Sequence, residues 1–104
     1  MRLIPEKESL TVEFKSDLTK YPDSDIFEAV VAFANTEGGE LYLGVEDDGT
    51  ITGVNVAHSN PTTLSAFVAN NTVPPVSIRA EIIEDTKPVL LISIPKSHGG
   101  IVAT

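Results

Sequence analysis

The stretch from Ala32 to Gly53 constrains the fold more than any other part of the chain. An apolar helical run ends near Ala34, and Gly38 and Gly39 stop it. Leu41, Leu43 and Val45 then mark one face of a strand spanning residues 40–46. Asp48-Gly49 is a tight-turn signal, and Thr50 to Val54 returns as the paired strand. A plain hairpin needs only the turn. This stretch adds Asn35, Gly44, Gly53 and a run of acids at Glu46, Asp47 and Asp48, so any chemistry would be anchored here.

The flanking sequence supplies the remaining elements. Leu10, Val12 and Phe14 alternate with Thr11, Glu13 and Lys15, the pattern of a half-buried strand. A helix is expected from Ser24 or Asp25, since Asp25 and Glu28 have capping-box spacing. Ile26, Ala29, Val30, Phe33 and Ala34 share one face of it, and Phe27 and Val31 widen the stripe towards a second contact or a partner. A second helix is expected over residues 61–70, capped by Asn60 with Pro61 at its first position, and facing inward with Leu64, Phe67 and Val68. Val73-Pro74-Pro75 ends it. Val76, Ile78, Ala80 and Ile82 alternate as a strand. The run from Val89 to Ile94 reads as a central strand covered on both faces. The predicted order is β-α-β-β-α-β-β, an α+β domain with a mixed sheet of about five strands and two helices.

The 104 residues suit one domain, and 41% of them are hydrophobic, enough for a core. The chain has no cysteine, which excludes a disulfide framework, a thiolate zinc site and a cysteine nucleophile. Arg2, Pro5, Glu6, Lys7 and Glu8 break up the start, so no signal peptide is expected. No apolar run approaches the length of a membrane span. A cytoplasmic, soluble protein is the expectation. The uncharged stretch Ile101 to Thr104 suggests that residues 1–104 are the N-terminal domain of a longer protein. Fifteen acids against seven lysines and arginines give a net charge of -8. That argues against a generic DNA coater, whose affinity comes from cations displacing counterions from phosphates.

Three segments, Glu8 to Lys15, Ala32 to Gly39 and Leu43 to Gly53, together resemble the AlbA-like DNA-binding domain of the Schlafen superfamily. That domain lies at the N-terminus of bacterial and archaeal transcriptional regulators and of divergent AAA/RecG-like proteins. The resemblance implies a nucleic-acid partner and no small-molecule substrate. Some animal members are metal-dependent endoribonucleases that act on structured RNA through three carboxylates. Glu8 and Glu13 fall on two of those positions. Glu46, followed by Asp47, stands where the third is an aspartate. Under this implication Glu8, Glu13 and Glu46 would hold Mg²⁺ or Mn²⁺. Two lobes form the groove in those nucleases, so this chain would need a homodimer.

Each candidate also has a plainer reading. Residues five apart on one strand face opposite ways, so Glu8 must come from the loop before the strand if it is to join Glu13. Otherwise Glu13 is a solvated neighbour of Lys15. The acids at 46–48 are most simply a hairpin turn. Gly38 and Gly39 follow a helix and so sit at its negative end, a C-cap rather than a phosphate cradle. Gly44 and Gly53 permit close packing, and Asn35 hydrogen-bonds the adjoining loop. Lys15 is the best phosphate contact and Arg79 the second. His58 and His98 have no metal or triad spacing. Three functions remain: a nucleic-acid-binding regulatory domain, a metal-dependent nuclease, and a non-catalytic dimerisation module.

Overall fold

The computed structural model describes residues 2–103. Its elements are β1 (Val12–Lys15), α1 (Asp23–Ala34), β2 (Gly39–Leu43), a 3₁₀ turn (Val56–His58), α2 (Pro61–Asn70), β3 (Arg79–Glu84) and β4 (Pro88–Ile94). They form one mixed sheet in the order β1-β2-β4-β3. β1 and β2 run parallel, and the other two pairings are antiparallel. A parallel pair cannot be closed by a tight turn, so α1 is the crossover between them.

The sheet has an apolar side chain at almost every central position, and the pleat deals these residues to two faces. Leu41, Leu43, Leu90, Ile92 and Ile94 face the helices and pack with Ile26, Val30 and Ala34 of α1 and Val68 of α2. Phe14, Tyr42, Val89 and Leu91 face the other way and pack with Val45 and with Ile4 of the N-terminal segment. Phe14 and Tyr42 meet edge-on at 5.9 Å between ring centroids. β4, buried on both faces and hydrogen-bonded on both edges, is the central strand its composition predicts.

α2 follows its sequence signals at both ends, but of its expected inward face Val68 is buried while Phe67 is 43% exposed, meeting the Phe27 ring edge-on near the surface. Asn60 accepts a hydrogen bond from Thr63 N at 3.4 Å, Pro61 opens the helix, and Asn70 closes it. α1 begins earlier than expected. Pro22 occupies the cap position, and its carbonyl accepts from Asp25 N and Ile26 N, so Asp25 lies inside the first turn instead of capping it. There its charge favours the positive end of the helix.

Three strand expectations need correction. Leu10 is not in β1. It lies in a turn closed by Ser9 N donating to Val12 O at 3.0 Å, and it is 99% exposed. The return arm of the hairpin is not a full strand. A single bridge joins Val45 to Ile51, and Gly44 O then accepts from both Thr52 N and Gly53 N. Pairing breaks because Gly44 and Gly53 both take left-handed backbone angles, φ 107° and 96°. β3 begins at Arg79 rather than Val76, because Pro74 and Pro75 lack donors and Val76 N is held by Thr72 Oγ1 at 2.8 Å.

Gly44 is also a site of close approach, since a Cβ there would lie 2.5 Å from the Gly53 carbonyl carbon. Gly44→Ala combines that clash with a disfavoured backbone angle and is expected to lower stability by at least about 1–3 kcal/mol, read as a lower urea midpoint. Gly99→Ala is the control. Its added methyl meets only Pro74 at 3.9 Å, and its effect is expected within about 0.5 kcal/mol of zero.

Candidate nucleic-acid interface

β1 lies directly beside β2, with Glu13 opposite Leu41 and Lys15 opposite Leu43. The acidic hairpin therefore continues from the same end of the sheet at which Lys15 stands. Glu13 and Lys15 point to the α1 side, and Phe14 points away into the second core. Lys15 Nζ pairs with Glu13 Oε1 at 3.2 Å, and this hydrogen bond raises the lysine's pKa against the lowering effect of burial. The charges of Glu13, Tyr21 and Asp47 add to the rise. Lys15 is thus a fixed cation lined by acids, in a shallow cavity shared with Tyr21, Asp25 and Glu28.

The other acids have separate roles. Glu8 does come from the loop before β1, and its Oε1 accepts from Phe14 N at 2.9 Å. That N–H points outward, because β2 bonds only the alternate residues of β1. Glu46 turns inward, where its Oε2 accepts from the Thr52 hydroxyl at 2.5 Å. Asp48 accepts from Thr50 N at 2.9 Å, and hydrogen bonding to Thr50 lowers its pKa. Among the described residues no three acids or histidines gather as a ligand set. Glu8, Glu13 and Glu46, as placed, form no common oxygen cage for Mg²⁺ or Mn²⁺.

The structure does not bring Lys15 and Arg79 together. Arg79 pairs across to Ser93, Ser93 to Glu40 and Glu40 to Val12, so Arg79 shares the Phe14 face, on the far edge strand. The hairpin end collects different cations. The Arg2 guanidinium donates to Gly49 O at 2.7 Å. The Glu6 carbonyl packs against Gly49, which places Lys7 beside the turn, and the Lys87 side chain packs against Gly53. Lys7 and Lys87 form no ion pair among the described residues. Local sequence gave no sign of this, because the three segments are distant along the chain.

The remaining motif residues are structural. Gly38 N donates to Phe33 O at 2.8 Å with φ 76°, which closes α1 as a C-cap. Gly39 lies under the Phe33 ring. Asn35 reaches much further than the adjoining loop. Its side chain accepts from Val102 N at 2.7 Å and donates to Val102 O at 3.1 Å. With the Val73–Ala103 bridge, these bonds draw the stretch after β4 into the core, where Val102 is buried. Thr104 lies outside the described residues.

Sequence spacing also missed a buried polar pair. Asp17 is fully buried, and its carboxylate accepts from Tyr21 N and Asn55 N, both at 2.7 Å. His58 Nδ1 lies 2.9 Å from the same group. The two residues are separated by 41 positions, so no local motif could join them.

A family model described as Schlafen, AlbA_2 matches residues 8–101. The chain belongs to that family. Two solved structures share the fold of this Schlafen domain. The DIP2311 protein of Corynebacterium diphtheriae superposes with a TM-score of 0.67 at 18% identity, over 88% of this chain and 19% of that protein. The N-terminal domain of a RecG-related protein from Nitrosomonas europaea superposes with a TM-score of 0.59 at 23% identity, over 90% of this chain and 70% of that one. Among the described residues, no helix of the Schlafen domain is long and apolar enough to cross a membrane.

Two measurements check this arrangement. Glu8→Ala uncovers Phe14 N–H and is expected to lower stability by about 1–2 kcal/mol, with faster exchange of that amide, while Glu8→Gln retains most of both. Tyr42, buried and hydrogen-bonded to Glu40, has its pKa pushed up to about 12. Between about pH 10, where an unfolded tyrosine ionises, and about 12, the folded state keeps a proton that the unfolded chain has lost. Stability should therefore fall as pH rises through that window. Phenolate absorbance should show a late step that Tyr42→Phe removes.

Proposed function

We propose that this chain is the nucleic-acid-binding domain of a larger regulatory protein, and that it holds the sugar–phosphate backbone at the hairpin end of its sheet. One observation carries the reading: Lys7, Lys15 and Lys87, from three separated segments, flank the hairpin that forms part of the family resemblance. Family membership supports the partner class. The name of the RecG-related neighbour, which refers to an ATP-dependent DNA helicase, supports DNA as that partner. The role of transcriptional regulator is the finer part of the proposal.

The electrostatics set the character of the binding. Among the described residues Lys7 and Lys87 form no ion pair, and Lys15 must share itself with Glu13. Nearby stand Glu46, Asp47 and Asp48, which repel phosphate. Binding by one protomer is therefore weak and strongly dependent on salt, and a homodimer would double the number of cations on one duplex.

The test is fluorescence anisotropy of the full-length protein with labelled duplex DNA and with structured RNA at low ionic strength. Binding is expected with a log–log salt slope near that of about three phosphate contacts per protomer, and Lys15→Met and Lys87→Met should each reduce the slope by about one. Arg79→Met should leave it unchanged. Absence of binding to either probe overturns the proposal. Mn²⁺-dependent cleavage of the RNA, lost in Glu13→Gln, would replace it with the nuclease reading.

A further inference from the structure

β3 ends the sheet on one side, and the bonding across the other strands fixes what its outer side offers. Glu40 N donates to Thr11 O and Gly44 N to Lys15 O, so the even-numbered residues of β2 turn their backbone groups towards β1. Leu41 and Leu43 therefore turn towards β4, where they meet Ile92 and Leu90. Val89, Leu91 and Ser93 of β4 then serve β3, opposite Ile83, Glu81 and Arg79. The N–H and C=O groups of Ala80, Ile82 and Glu84 point out of the sheet. Among the described residues no backbone hydrogen bond from outside the ladder reaches them. No proline interrupts residues 76–87. Ile78, just before the strand, continues its alternation and packs with Ala80 and Ile82 on the helix side. Arg79 and Glu81 are exposed on the opposite face, and among the described residues neither forms an ion pair.

We propose that the open edge of β3 binds the same edge of a second copy of this chain, antiparallel about a two-fold axis at Ala80. Ala80 exchanges both backbone bonds with Ala80 of the partner subunit, and Ile82 exchanges them with Ile78 of the partner subunit. In this register Arg79 lies opposite Glu81 of the partner subunit, and Glu81 lies opposite the partner's Arg79. These are the narrow, non-hydrogen-bonded positions, where Cα atoms stand about 4.5 Å apart. Opposite charges so placed attract. On the helix side Ile78 and Ile82 meet as an apolar pair. Charge also excludes the neighbouring registers. A slip of one residue sets residues of opposite faces against each other. A slip of two puts Arg79 against the partner's Arg79, or Glu81 against the partner's Glu81. The edge is thus complementary to itself in one register, which is why the occupant is a second copy. The net charge of -8 on each copy opposes the approach, but at physiological ionic strength this repulsion is screened beyond about 8 Å.

The pairing gives the homodimer of the proposed function an interface, and its test needs no nucleic acid, so its failure leaves phosphate binding by a single protomer standing. It changes how many protomers stand together and not the phosphate contacts each one makes, so the salt slope per protomer is unaffected. Sedimentation velocity at about 0.15 M salt should show a dimer that grows with protein concentration. Arg79→Glu and Glu81→Arg should each raise the dimer Kd by about tenfold or more, because attractive pairs become repulsive ones. The double variant should recover most of the affinity, and circular dichroism confirms that all three fold. The chain has no cysteine, so Ala80→Cys is a clean reporter of the register. On the axis its Cα stands about 5.5 Å from its copy, within disulfide reach, and oxidation should link the dimer. Glu84→Cys, away from the axis, should not link. A monomer at every concentration overturns the proposal and leaves the edge to a strand from another domain or protein. A dimer that Arg79→Glu leaves unchanged, or that Ala80→Cys fails to link, overturns it as well, since the second copy then sits on another surface or in another register.

Discussion

Parallel pairing of β1 with β2 is the constraint from which the rest of the molecule follows. Parallel neighbours require a crossover, and the crossover must cover one face of the sheet. Once α1 lies on the side of Leu41 and Leu43, alternation along β1 sends Phe14 to the opposite core and leaves Glu13 and Lys15 beside the helix. The same pairing aligns the ends of both strands. The loop carrying Asp17 and the hairpin following β2 therefore leave the sheet together, and the ordered side-chain chemistry collects at that end. This resembles the tendency of α/β sheets to place ligand sites beyond the carboxyl ends of parallel strands.

A chain of net charge -8 is an unusual candidate for a polyanion partner. The structure shows how its few cations are used. Lys15, Lys20 and Lys96 are each tied to a carboxylate, and Arg2 is committed to backbone carbonyls of its own segment and the hairpin. Among the described residues the cations left without an ion pair or backbone partner are Lys7 and Lys87 at the hairpin end and Arg79 on the far edge strand, which is no broad basic field. Such a surface favours positioning over raw affinity, so a second protomer or a neighbouring domain would have to supply much of the attraction.

Local patterns revealed the elements well. Apolar spacing gave both helices, Asn60 and Pro61 gave the start of α2, and the unbroken run from Val89 gave the central strand. Sequence patterns failed where a distant group overrides a local preference. Leu10 alternates correctly for a strand, yet the turn from Ser9 to Val12 removes it. Thr50 to Val54 has strand-like residues, but two glycines with left-handed angles break the ladder. Glu8 could be placed before β1 because residues five apart cannot share a strand face, but its partner, an outward backbone amide, was not readable. The Asp17–His58 pair was invisible because its members are brought together only by the fold. Asn35 was legible as a hydrogen-bonding residue and illegible as the clasp of Val102.

Glu8 also has a bearing on self-association. A bare edge strand offers a template on which a foreign strand can add. At β1 that template is blocked from within: Ser9 occupies Val12, and the Glu8 carboxylate stands where an incoming strand's carbonyl would have to sit. The sheet is thus sealed on one flank by its own leading loop and can lengthen only from the β3 flank. Growth in one direction alone permits a pair but not a filament built by repeating the same contact.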